Sequence, residues 1–109
     1  MANETGVIRQ LNDQLRRNLD RGLVIITPGV AALGKEAVRQ MLHTISVYDD
    51  FCQANDPHGE HDFGSFEAQG EKLFFKIDYY DQNLNMYSPD PADPDVTERV
   101  ITVMLAREY

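Results

Sequence analysis

The chain has 109 residues, 42% of them hydrophobic and 26% charged, with 18 acidic against 10 basic side chains and a formal charge of −8. That length supports one modest core, so one domain over residues 1–109 is expected, and the composition is that of a globular chain rather than a disordered one. The acidic excess argues against a direct grip on nucleic acid, which needs clustered Lys and Arg, and favours a protein partner with a basic surface.

The N-terminus, with Asn3, Glu4, Gly6 and Arg9, is too polar for a signal peptide. No apolar run approaches the roughly 20 residues that cross a bilayer. Cys52 is the only cysteine, which rules out an intramolecular disulfide and fits a reducing compartment. The expectation is a cytoplasmic protein without membrane association or cofactor, monomeric or homodimeric.

Residues Glu4 to Asp20 carry Val7, Ile8, Leu11, Leu15 and Leu19 at helical spacing, with Arg9, Asp13, Arg16 and Arg17 assigned to the solvent side. Gly22 stops this helix. Leu23-Val24-Ile25-Ile26-Thr27, closed by Pro28-Gly29, reads as a strand buried on both faces. A second helix is expected from about Gly34 to Phe51, with Ala37, Val38, Met41, Leu42, Ile45, Val47 and Tyr48 on its apolar side. His43 lies in it as a partly exposed or hydrogen-bonded packing residue. Cys52, just beyond, is expected as a small buried hydrophobe, since a nucleophilic thiol would want a nearby base and a lowered pKa.

Ala54 to Gly64 holds Asp56, His58, Glu60, His61 and Asp62 among Pro57, Gly59 and Gly64, residues that helix interiors and central strands reject. It is therefore a loop rich in proton carriers. Asp62 to Ala68 and Lys72 to Tyr80, separated by Gln69-Gly70-Glu71, form a hairpin signal with one of Tyr79 and Tyr80 facing the core. Asp81 to Asp95, punctuated by Pro89, Pro91 and Pro94, is a surface connection. The last segment is open between two readings. Asp93-Pro94 suggests a helix start, while Val100 to Leu105 has the β-branched content of a central strand, which is preferred because a hairpin alone makes a marginal sheet.

These readings give an α+β fold of two N-terminal helices packed on a small C-terminal antiparallel sheet of three to four strands. Asn55 to Gly64, Lys76-Ile77-Asp78-Tyr79-Tyr80-Asp81, Ser88 to Pro94 and the terminal Arg99 to Tyr109 resemble the bacterial DUF3768 family, and the likeness extends from Ile8 to the end. The resemblance implies a small single-domain bacterial protein, often of plasmid-bearing proteobacteria, and no activity. An aromatic more often stands where this chain has His58, which leaves Glu60, His61 and Asp62 as the stronger candidates in the loop.

Three accounts of the functional residues follow. As a catalytic centre, His61 would carry the proton with Glu60 or Asp62 orienting it. As a metal site, His58, His61 and Asp62 would supply ligands, but His-x-x-His lacks the helix that gives the zinc-protease motif its force. A structural account explains as much: Asp56 caps a turn, Gly59 and Gly64 take positive dihedrals, and His61 bonds the hairpin or Asp78. A further reading starts from charge. Asp78, Asp81, Asp90, Asp93 and Asp95 can imitate a phosphate backbone before a basic groove, as anti-restriction and anti-CRISPR inhibitors of mobile elements do. The leading expectation is thus a non-enzymatic acidic interaction module that inhibits or regulates a nucleic-acid-handling protein, with a small metal-binding protein or hydrolase as the alternative.

Overall fold

The structure, a computed structural model, describes residues 4–109, so Asn3 of the reading against a leader lies outside the described residues. In chain order it contains α1 (Glu4–Arg17), a 3-10 turn (Leu19–Arg21), β1 (Leu23–Ile26), α2 (Pro28–Ala31), α3 (Lys35–Ser46), β2 (Phe63–Ala68), β3 (Glu71–Tyr80), β4 (Glu98–Leu105) and a last 3-10 turn (Ala106–Glu108). The four strands form one sheet in the order β1-β4-β3-β2.

The α+β class holds, but the sheet is mixed and not antiparallel. β2, β3 and β4 form the expected meander, with Gly64 opposite Phe75 and Phe75 opposite Val103. β1 instead runs parallel to β4, Leu23 opposite Val100 and Ile26 opposite Val103. A tight turn dictates antiparallel pairing locally, whereas the long excursion from β1 through two helices and a hairpin permits a parallel return that no local pattern records. This placement also overturns the reading of β1 as buried on both faces. It is an edge strand, and Leu23 and Ile25 are 43% and 52% exposed. Continuous β-branched content marks a strand without saying which strand is central, and β4 takes that place.

Helices cover one face of the sheet. Ile8 of α1, Val30 of α2 and Met41 and Ile45 of α3 pack on Leu73, Phe75, Ile77, Ile101, Val103 and Leu105. Fully burying one such side chain contributes roughly 1.5–3 kcal/mol, so this layer supplies most of the fold's driving force. Gly64 is required here by space and not by a positive dihedral: a Cβ would collide with the Phe75 ring and stand 2.8 Å from Tyr48 Cε1. The helix expected to reach Phe51 ends at Ser46, and Pro28-Gly29 opens the short α2 with Pro28 in its first turn. Proline has no N–H to lose at that position and its fixed φ suits a helix start. Cys52 is exposed, contrary to expectation, because the chain has by then left the helical layer.

Candidate functional site

The loop between α3 and β2 is held by its own backbone. Asp56 N–H donates to the Cys52 carbonyl (2.7 Å), Gly59 N–H to the Asp56 carbonyl (3.1 Å) and His61 N–H to Asp56 Oδ1 (3.1 Å). Gly59 takes φ +70 and His61 takes φ +57. The left-handed region disfavours a side chain, so His61 is fixed there by its surroundings.

Those surroundings come from α1. His61 Nδ1 lies 2.9 Å from Asp13 Oδ1 and Nε2 lies 3.7 Å from Asp56 Oδ2. The imidazole stacks on Phe51 with centroids 3.9 Å apart and 3° between planes. Its partners are therefore Asp13 and Asp56, and not Glu60, Asp62 or Asp78. Arg16 completes the anchor: its guanidinium lies 4.9 Å above Phe51, donates to Asp13 Oδ1 (2.6 Å) and donates to the Ile45 (3.0 Å) and Tyr48 (2.9 Å) carbonyls at the end of α3. Burial alone would raise the Asp13 pKa, but hydrogen bonds from Arg16 and His61 outweigh it and hold the carboxyl below its ordinary value. Asp13 and Arg16, assigned to the solvent side from the sequence, thus sit on the packed side of α1.

Asn12, on the same stripe, is fully buried and joins three elements. Its Nδ2 donates to the Tyr79 hydroxyl (2.7 Å) and to the Glu60 carbonyl (3.0 Å), and its Oδ1 accepts from Arg99 Nε (2.9 Å). The Tyr79 hydroxyl in turn donates to Glu60 Oε1 at 2.9 Å. Arg99 lies 5.2 Å over the Tyr79 ring and also donates to the Pro91 carbonyl. Burial first, and then the Glu60 carboxylate, push the Tyr79 phenol far above its usual range, so it remains a proton donor. Burial lowers the pKa of Arg99, opposed by Tyr79 and Glu60.

This scaffold forms one wall of a cleft of about 450 Å³ lined by His58, Glu60, Asp62, Ile77, Asp78, Tyr79, Tyr80 and Tyr87. Three carboxylates and three phenols face it, and none of its lining residues is Lys or Arg. Asp62 is pushed above the usual carboxylate range by burial and then by the neighbouring charges of Glu60 and Asp56. Of the loop residues singled out from the sequence, Glu60, Asp62 and His58 share this cleft, while His61 turns away to Asp13. Among the described residues, no group of three or more His, Cys, Asp or Glu side chains is placed to hold a metal ion.

Of the five aspartates of the charge reading, one lies in β3 and the other four in the connection between β3 and β4. Asp78 lines the cleft and pairs with Lys76 at 3.2 Å. Asp81 accepts the N–H groups of Asn83 and Asn85, Asp90 that of Ala92 and Asp93 that of Asp95. Each of these three therefore commits one oxygen to a turn of the connection. The Asp95 carbonyl accepts from Gln82 (2.6 Å), tying the two ends of that connection together.

A family model described as a protein of unknown function (DUF3768) matches residues 26–108. The chain belongs to the DUF3768 family. The matched DUF3768 region runs from the last residue of β1, Ile26, through β2, β3 and β4 and contains every lining residue of the cleft, whereas Asn12, Asp13 and Arg16 of α1 lie before it. No match is found among the curated proteins or among the solved structures. Asn12 and Arg16 escaped the sequence reading because a polar side chain at helical spacing normally faces water. The one signal was that Ile8, Asn12 and Arg16 fall four residues apart on a single stripe.

Proposed function

We propose that the protein is a small acidic interaction module that engages the basic surface of a protein partner, and that it acts as an inhibitor or regulator of a nucleic-acid-handling protein in the manner of an anti-restriction or anti-CRISPR factor. The observation that carries this reading is the cleft, whose charged lining groups are the carboxylates Glu60, Asp62 and Asp78. The charge imbalance supports it: beyond residue 39 the chain has fourteen acidic residues against four basic ones. Of those four, Lys76 and Arg107 are in ion pairs and Arg99 is bonded into the Asn12 hub. This part of the chain is net negative and would steer a basic partner into contact.

The test is affinity capture from cells that carry the protein, at two salt concentrations. The reading expects a basic nucleic-acid-handling partner that salt releases, retained by His61→Ala and lost with Asp78→Lys and Asp95→Lys together. A partner lost with His61→Ala and held by the charge-reversed variant would overturn it.

A second reading rests on the raised pKa of Asp62 beside Glu60. Two carboxyl groups in one cleft, one of them with its pKa raised, are the parts of a general acid–base pair, which is the chemistry of a small hydrolase. Under this reading Asp62→Asn abolishes turnover of a hydrolysable substrate while leaving partner capture unchanged.

A further inference from the structure

The cleft has a lip that folding does not explain. After β3 the chain turns back on itself: Asp81 N–H donates to the Met86 carbonyl (2.8 Å), Leu84 N–H to the Asp81 carbonyl (3.0 Å) and Ser88 N–H to the Tyr79 carbonyl (3.0 Å). The Asp81 carboxylate fills the turn by accepting two further N–H groups. The turn is thus rigid and closed by polar groups, yet Leu84, Met86 and Tyr87 are 49%, 71% and 69% exposed. Leu84 also takes φ +59, a conformation suited to Gly or Asn, with Asn83 and Asn85 on either side. Tyr87 belongs to the lip and to the cleft, its ring edge-on to Tyr79 at 6.3 Å and 85°. An apolar, preorganised projection continuous with a carboxylate cleft is the surface of a binding site with two chemistries side by side.

We infer that the cleft and the Leu84 to Tyr87 lip together dock a short amphipathic segment of a protein partner, whose arginine enters the cleft and whose apolar side chains lie on Leu84 and Met86. Charge complementarity selects the occupant. A phosphate backbone or an anionic membrane is repelled by Glu60, Asp62 and Asp78, and a basic segment is drawn in. Arginine suits the cleft better than lysine because its flat guanidinium pairs with a carboxylate through two N–H groups and stacks on phenol rings at the same time. The cleft, at about 450 Å³, holds such a side chain with part of its backbone. The rigid lip lowers the entropy lost on binding, which favours recognition of a segment that orders only on contact. This inference rests on the proposed acidic interaction module and adds the face, the anchor residue and the apolar half of the contact.

The probe is a labelled twelve-residue peptide of alternating arginine-leucine pairs, with a lysine version and a citrulline version, titrated into the isotope-labelled full chain and followed by NMR and fluorescence anisotropy. Chemical shifts are expected to move in 58–62 and 78–87 and not elsewhere, with arginine bound more tightly than lysine and citrulline weakened about tenfold or more. The double variant Leu84→Ser, Met86→Ser alters only exposed side chains, so it should keep the wild-type spectrum outside the lip and lose about tenfold in affinity. Shifts spread over the whole acidic surface, equal binding of the citrulline peptide, or unchanged affinity of the double variant would overturn the inference. If the natural partner is captured but is indifferent to the lip variant and sensitive to Asp95→Lys, the docking groove fails and the acidic module stands. If no basic protein or peptide binds in any arm, both fail.

Discussion

Replacing Asn12 by alanine should be the most damaging single change to the architecture behind the cleft. Asn12 is fully buried, and its amide satisfies Tyr79, the Glu60 carbonyl and Arg99 Nε together. Truncation strands the half-buried Arg99 Nε, a charge-assisted donor whose loss costs about 1.5–3 kcal/mol, and leaves a small cavity that adds about 1 kcal/mol. Tyr79 retains Glu60 as acceptor, so its hydroxyl adds little. The total is about 2.5–4 kcal/mol, a large share of the roughly 5–15 kcal/mol that holds a domain of this size. Tyr79→Phe, which keeps the ring under Arg99 and removes only the hydroxyl, should cost about 1–2 kcal/mol. Urea unfolding of wild type, both single variants and the double variant measures the costs and their coupling. The double variant should lose less than the sum of the two singles, because they share one hydrogen bond. A cost below about 1 kcal/mol for Asn12→Ala, or strict additivity, would refute the hub.

Other consequences follow from the same geometry. Gly64→Ala places a methyl group against Phe75 and Tyr48 and should destabilise by about 2 kcal/mol or more, read as a lowered thermal midpoint. Asp62 has a folded pKa above its unfolded value near 3.8, so it imposes a penalty that is full above the folded pKa and absent below the unfolded one. Asp62→Asn should therefore raise stability at pH 7 and lose that advantage below about pH 4, checked by urea midpoints across pH. Glu108 works in the opposite sense. Its carboxylate accepts from Thr27 Oγ1, Leu105 N–H and Gly29 N–H, which lowers its pKa below 4.5. Its contribution is complete above that value and is lost as pH falls through the folded pKa, so Glu108→Gln should flatten the acid side of the stability curve. Leu84→Asn, which suits the left-handed turn and removes an exposed apolar side chain, should raise stability by about 0.5 kcal/mol in the same assay.

Much of the fold was written in local patterns. The hairpin of β2 and β3 and the strand at Glu98–Leu105 follow from alternation and β-branched content, and α1 and α3 follow from apolar residues at three- and four-residue spacing. The parallel pairing of β1 was not legible, because it depends on a return over more than seventy residues that no turn encodes. The same difference separates the parts of the candidate site. Glu60 and Asp62 stand out in a loop dense with Gly and Pro, and the structure sets both in the cleft. The residues that steer His61 away from it, Asp13 and Arg16, lie on a helix 48 and 45 positions earlier, and only packing reveals that the polar stripe faces inward. The aspartates of the connection were visible as charge, but their turn-forming bonds required coordinates.

The claim that negative charge at the cleft is the working part of the molecule is tested most directly by the salt dependence of partner affinity. For the captured partner, the dissociation constant should rise about tenfold between about 50 and about 300 mM salt, and replacing Glu60, Asp62 and Asp78 by Gln, Asn and Asn should remove most of that dependence. A dissociation constant indifferent to salt, or the same dependence in the neutralised variant, would contradict the account.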